Sequence, residues 1–136
     1  MSHSYYFQAH SGSGFQEIPT ERILRIFEKY IVRKHEDYID LEFDEMNSCT
    51  VFMDPMEPFN TGISVNRPCS SDELIRCLYE IMRLGNFVFF EPGGRYVITL
   101  SPEVEPLLPV DMIDALGKPV VAKDWQAFYD LMTNER

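Results

Sequence analysis

Tyr38-Ile39-Asp40-Leu41-Glu42-Phe43-Asp44 is the stretch whose reading decides the fold. Apolar Ile39, Leu41 and Phe43 alternate with acidic Asp40, Glu42 and Asp44, and successive side chains of an extended strand point to opposite faces. The segment therefore reads as a strand with one face on a core and a row of carboxylates on the other. Asn47-Ser48 offers a turn into a second strand over about 49–53, which makes the local unit a hairpin. Residues 54–62 are too rich in Pro and Gly to be regular, and they lead to a third strand over 63–66.

Upstream, the periodicity changes to that of a helix. Ile23, Leu24, Phe27, Tyr30 and Ile31 gather on one side, Arg22, Arg25, Lys29 and Arg33 form a stripe opposite, and Thr20 after Pro19 serves as N-cap, so a helix is predicted over 20–34. Ahead of it, Ser11-Gly12-Ser13-Gly14 is linker-like, and residues 1–14 are expected to be a flexible segment in which 5–9 adds at most an edge strand. Residues 15–136 are expected to form a single domain.

Downstream, Ser70 with Glu73 three residues on reads as a capping box, and Gly85 stands where a helix would stop. Residues 87–91 and 95–100 read as a second hairpin joined by Pro92-Gly93-Gly94. Ser101-Pro102 and Leu108-Pro109 each look like the start of a helical turn, the second ending at Gly117. A short strand over 119–122 follows, and then a last helix, capped by Asp124 and running through about Met132, that buries Trp125, Phe128 and Leu131 or Met132. The expected class is α+β, with a mostly antiparallel sheet of five to six strands, two main helices and a C-terminal helix.

The charge is local as well as large. Eight carboxylates lie between Glu36 and Glu57, no Lys or Arg occurs from His35 to Asn66, and the chain carries a formal −10 at pH 7. That balance argues against a general affinity for nucleic acid or anionic membranes, both of which call for a basic footprint. No apolar run approaches the roughly 18 residues of a membrane span, and no basic leader precedes an apolar stretch, so a cytoplasmic protein is expected. Cys49, Cys69 and Cys77 have no paired spacing and are expected to be free thiols.

Catalytic and metal motifs fail on inspection. Asp40-x-Glu42-x-Asp44 begins like a calcium loop, but Glu45 stands where that loop needs Gly and Val51 where it needs a bidentate Glu. His3, His10 and His35 show no metal-ligand spacing. Pro92-Gly93-Gly94 lacks the Gly-Lys-Ser/Thr ending of a phosphate loop. Cys69, ahead of a helix start, is the more reactive thiol on paper because a helix N-terminus lowers thiol pKa, yet no base is nominated to serve it. No metal or cofactor is expected.

The segment Leu108-Pro109-x-Asp111-Met112-x-x-x-Leu116-Gly117-x-Pro119-Val120-Val121, together with size, charge and layout, resembles the small acidic immunity proteins with which bacteria neutralise toxins delivered between cells. The resemblance implies a stoichiometric inhibitor and assigns no residue roles. From the strand pattern itself, Asp40, Glu42, Asp44, Glu45, Asp54 and Glu57, with apolar Met56 and Phe59, are the candidate partner-binding residues, and a basic protein is the expected partner. The expected function is thus non-catalytic protein binding. A secretion chaperone or adaptor is the alternative reading, and a small enzyme of unrecognised type a further one.

Overall fold

Residues 4–9 are the physical centre of the molecule. The computed structural model describes residues 4–94 and 96–134, and within it β1 (Ser4–Ala9) lies between β7 (Gly62–Asn66) and β8 (Phe87–Phe90), antiparallel to both. Tyr5, Phe7 and Ala9 point into the core, and Phe7 stands in register with Ile63 on one side and Phe89 on the other. The expectation of a flexible 1–14 segment is corrected here; of that segment, residues 1–3, including His3, lie outside the described residues. The Gly/Ser run is a turn rather than a linker. The Ser11 amide donates to the Gly14 carbonyl, Gly12 adopts φ +93°, and His10 pairs with Phe15 as the chain reverses.

The sheet, counted over the described residues, has eight strands in the order β10-β9-β8-β1-β7-β5-β4-β3. Its remaining members are β3 (Ile31–Lys34), β4 (Tyr38–Asp44), β5 (Asn47–Phe52), β9 (Ile98–Thr99) and β10 (Val120–Val121). All pairs are antiparallel except β9 with β10, so the sheet is mixed and larger than the expected five to six strands. A two-residue ladder of β2 (Ile18–Pro19) with β6 (Phe59–Asn60) stands apart. Gly62 opens β7 because a Cβ there would sit 2.4 Å from the Phe7 carbonyl oxygen, closer than any side chain tolerates.

Four α-helices are described, where two plus a C-terminal one were expected: α1 (Thr20–Phe27), α2 (Asp72–Met82), α3 (Val110–Leu116) and α4 (Trp125–Asn134). The first helix is shorter than its periodicity implies. After Phe27 a 3-10 turn over Glu28–Tyr30 leads into β3, whose Ile31 pairs with Leu41. β-branched Ile31-Val32 suit an extended ladder, and this ladder pairs an edge of β4 that would otherwise be open. Thr20 is the first helical residue instead of the cap, and its buried hydroxyl accepts a 2.7 Å bond from the Asn60 amide. The second helix is capped by Ser71, not Ser70; its Oγ accepts from the Glu73 amide at 3.2 Å. The turn of the β4–β5 hairpin is Glu45-Met46, two residues earlier than expected.

The main core lies between one sheet face and the helices. Ile23 and Phe27 of α1, Leu74, Leu78 and Ile81 of α2, and Phe128 and Met132 of α4 cover Phe7, Ile39, Leu41, Val51, Val65 and Phe89. Ile39 and Leu41 are buried as the alternation requires, while Phe43 is half-buried against Tyr30. On the opposite face a smaller cluster of Val88, Val97, Val104 and Leu108, with Met112 and Ile113 of α3 against it, covers only the β8–β9 end. The β4, β5 and β7 portion of that face carries Asp40, Glu42, Ser48, Thr50 and Ser64, all half-buried or exposed. Among the described residues, no helix is long and apolar enough to cross a membrane.

Because Phe7 is fully buried between two strands and beneath the helices, Phe7→Ala is expected to cost about 3–5 kcal/mol in urea unfolding. Gln8→Ala, on the other face of the same strand, is expected to cost under about 1 kcal/mol. Equal losses at the two positions would contradict this placement of β1.

Candidate functional site

The acidic residues follow the β4–β5 hairpin from end to end. Asp40 and Glu42 stand mid-strand on the face away from the helices, Asp44 and Glu45 form the tip, and Asp54 and Glu57 lie in the loop beyond β5 at the other end, near Glu36 and Asp37. β4 has seven residues, so the two ends are separated by about 20 Å. The fold thus brings Asp40 with Glu42, Asp44 with Glu45, and Asp54 with Glu57, but it does not converge all six on one point.

Their chemical availability differs. Asp40 accepts a 2.9 Å bond from its cross-strand neighbour Thr50 and faces His35 Nε2 at 3.2 Å, while the Tyr38 ring stacks on His35 with centroids 4.0 Å apart. Asp44 builds the hairpin turn: its carboxylate accepts from the Met46 amide at 2.8 Å and from the Asn47 side-chain amide at 2.9 and 3.0 Å. These bonds, Asn47 foremost, hold its pKa below the ordinary carboxylate value. Asp54 does the same for the next loop, accepting from the Met56 and Glu57 amides at 3.0 and 3.2 Å. Asn60 then ties that loop to the Asp54 backbone and to Thr20. Three of the six carboxylates are therefore used in building the surface, and Glu42, Glu45 and Glu57 are exposed at its front.

Among the described residues, none of these six carboxylates has a Lys or Arg nitrogen within 4.0 Å. Arg33, read from sequence as part of the helical stripe, stands on β3 in register with Asp40 but is exposed and forms no such pair. Met56 and Phe59 are exposed beside the acids, as expected. Sequence reasoning missed Phe52 and Met46. Phe52 is 41% exposed on the outer face, where its ring meets Tyr38 at 5.7 Å, and Met46 is 88% exposed at the hairpin tip. The signal for Phe52 was its alternation against inward-facing Val51.

Burial is the main influence on the three thiols. Burial pushes Cys49 and Cys77 up to about 12, and burial also raises Cys69, outweighing the lowering effect of the Ser71 amide. The expectation that Cys69 is activated by a helix N-terminus is thereby corrected. Among the described residues, no group of three or more His, Cys, Asp or Glu side chains is arranged to hold a metal ion.

No family model matches the chain, and neither a curated protein nor a solved structure matches it.

His10, expected in a loose terminus, is 2% exposed at the start of the first turn, its ring tilted against Phe15 and its Nε2 without a hydrogen-bond partner among the described residues. Burial lowers its pKa from 6.5. The unfolded chain therefore takes up a proton near pH 6.5 and the folded chain only at lower pH. The neutral ring's contribution is intact above pH 6.5 and is expected to fade as pH falls below that value, a slope that His10→Leu removes in urea unfolding measured between about pH 5 and 8.

Proposed function

We propose that this chain is a non-catalytic protein-binding protein of the inhibitor or immunity type, which meets a basic partner with the β4–β5 hairpin and the loop that follows it. The observation that carries the reading is a hairpin whose exposed carboxylates lack a Lys or Arg counterion among the described residues, bordered by exposed Met46, Phe52, Met56 and Phe59. Charges of one sign draw a basic partner from a distance and set its register, while apolar side chains among them supply contact area that loses water on docking. Scale favours a macromolecule over a small ligand. Acids spread over about 20 Å cannot converge on one small molecule, whereas a standard protein interface of about 800 Å² per partner spans roughly 30 Å and takes in the whole hairpin.

Binding is reached here without any moving part. Asp44 and Asp54 hold their turns through backbone bonds, so the surface is presented with little conformational freedom left to lose on association. The same bonds decide which residues can be reversed to test the idea. Replacing Asp44 would open the hairpin turn, whereas Glu42 and Glu45 are exposed and can change sign without loss of fold.

Protein immobilised and exposed to extract of the source cell is expected to retain a basic protein at low salt, identified by mass spectrometry. Its association rate with the purified chain is expected to fall at least ~10-fold between ~50 and ~500 mM salt, and a further ~10-fold for the Glu42→Lys, Glu45→Lys double variant. An association rate indifferent to both salt and charge reversal defeats this reading.

A further inference from the structure

The opposite charge is collected elsewhere. Between α1 and α2 runs a groove made of two adjoining hollows of about 360 and 370 Å³. One is lined by Arg22 of α1 and Arg83 at the end of α2; the other carries Lys29, Tyr30 and Arg76 together with Glu28 and Glu73, and both share Arg25, Ile26 and Glu80. Five cationic side chains line the groove against three carboxylates, in a chain whose formal charge is −10. Glu80 is divided between Arg76 at 3.5 Å and Arg83 at 3.4 Å, and Arg22 and Arg25 have no acidic partner within 4.0 Å among the described residues. Unpaired cations occur elsewhere among the described residues, and what sets this groove apart is that Arg22, Arg25 and Arg83 gather in one hollow with Glu80 as its one lining carboxylate.

We infer that this groove is a binding site for a small organic dianion, a phosphate monoester with an apolar body. The guanidinium groups of Arg22, Arg25 and Arg83 would take the phosphoryl oxygens, since a planar fork of N–H donors suits tetrahedral oxyanions better than a point charge does. The apolar body would lie along Ile26 and Tyr30 in the neighbouring hollow, whose lining is the less polar of the two. The volume of each hollow falls in the range of small-molecule sites, and the charge of a dianion matches the local surplus. The site is independent of the acidic hairpin, so either can stand if the other fails.

The test is a titration of the labelled full chain with phenyl phosphate, followed by amide shifts in two-dimensional NMR at constant ionic strength. Saturable shifts confined to residues 22–30 and 76–84 are expected, with a Kd below about 1 mM, and inorganic phosphate, lacking the apolar body, is expected to bind about 10-fold more weakly. Arg22→Ala with Arg25→Ala, both exposed, is expected to raise the Kd at least ~10-fold while leaving urea unfolding unchanged. Glu80→Gln is expected to tighten binding, because it frees Arg76 and Arg83 from a competing carboxylate, a gain that a merely structural role would not produce. Shifts that do not saturate, an equal response to chloride, or an affinity unmoved in both variants would overturn the site. A phosphotyrosine peptide binding more than ~10-fold tighter than phenyl phosphate would overturn the assignment to a free small molecule.

Discussion

Two-sided pairing of β1 is the constraint on which the rest depends. The strand donates and accepts on both edges, joining β7, β5, β4 and β3 on one side to β8, β9 and β10 on the other. Phe7 and Phe89 lie with ring centroids 5.1 Å apart, and Tyr5 meets Phe89 edge-on at 5.2 Å, so the same strand also supplies the aromatic floor on which α2 and α4 rest. Without it the two halves of the sheet would each present an open edge and an uncovered apolar face. Its pairings join the start of the chain to residues beyond 60 and 85, contacts of high sequence separation that become favourable only after long loops have closed.

With the sheet assembled around that strand, charge is sorted between two surfaces. The helical side keeps Arg22, Arg25, Lys29, Arg76 and Arg83 along the α1–α2 groove, with Arg76 also lying over the Trp125 ring at 4.8 Å. The hairpin keeps the carboxylates, and its outer face is left uncovered because α3 and the turn before it reach only the β8–β9 end. A chain of net charge −10 thus has two local fields of opposite sign. Hydrogen bonding adds a second level of sorting: Asp40, Asp44 and Asp54 shape the acidic surface, and Glu42, Glu45 and Glu57 present it. Asp44 and Asp54 reach backbone amides of their own turns and Asp40 reaches the side chains of Thr50 and His35, while the glutamates, one methylene longer, extend into solvent.

Where local pattern and environment agreed, the sequence was legible. The alternation from Ile39 to Phe43, the pairing of β4 with β5, the strand over 63–66 and the final helix that buries Phe128 and Met132 all have the form their residues imply. So does the exposure of Met56 and Phe59 beside the acids. The strand expected over 95–100, by contrast, shortens to Ile98–Thr99 and meets β8 only at Phe89, residue 95 lies outside the described residues, and Trp125 is half-buried instead of buried. What misled was composition without context. Ser11-Gly12-Ser13-Gly14 has the make-up of a linker, yet its glycines supply the φ values of a tight reversal that His10 and Phe15 close. Ile31 to Lys34 continue a helical period, yet an open edge of β4 was nearby and β-branched residues fill it more readily than they extend a helix.

By itself, then, the sequence determined the α+β class, the alternating strand and the local excess of negative charge, because these follow from residue order and from the two periods of side-chain direction. Tertiary structure decided which strand is central, where the first helix stops, and, among the described residues, which acids are free and which arginines lack a partner. Each of those depends on neighbours distant in the chain, Ile63 and Phe89 for β1, Thr50 for Asp40, Glu80 for the arginines of the groove, and no local pattern encodes a distance through space.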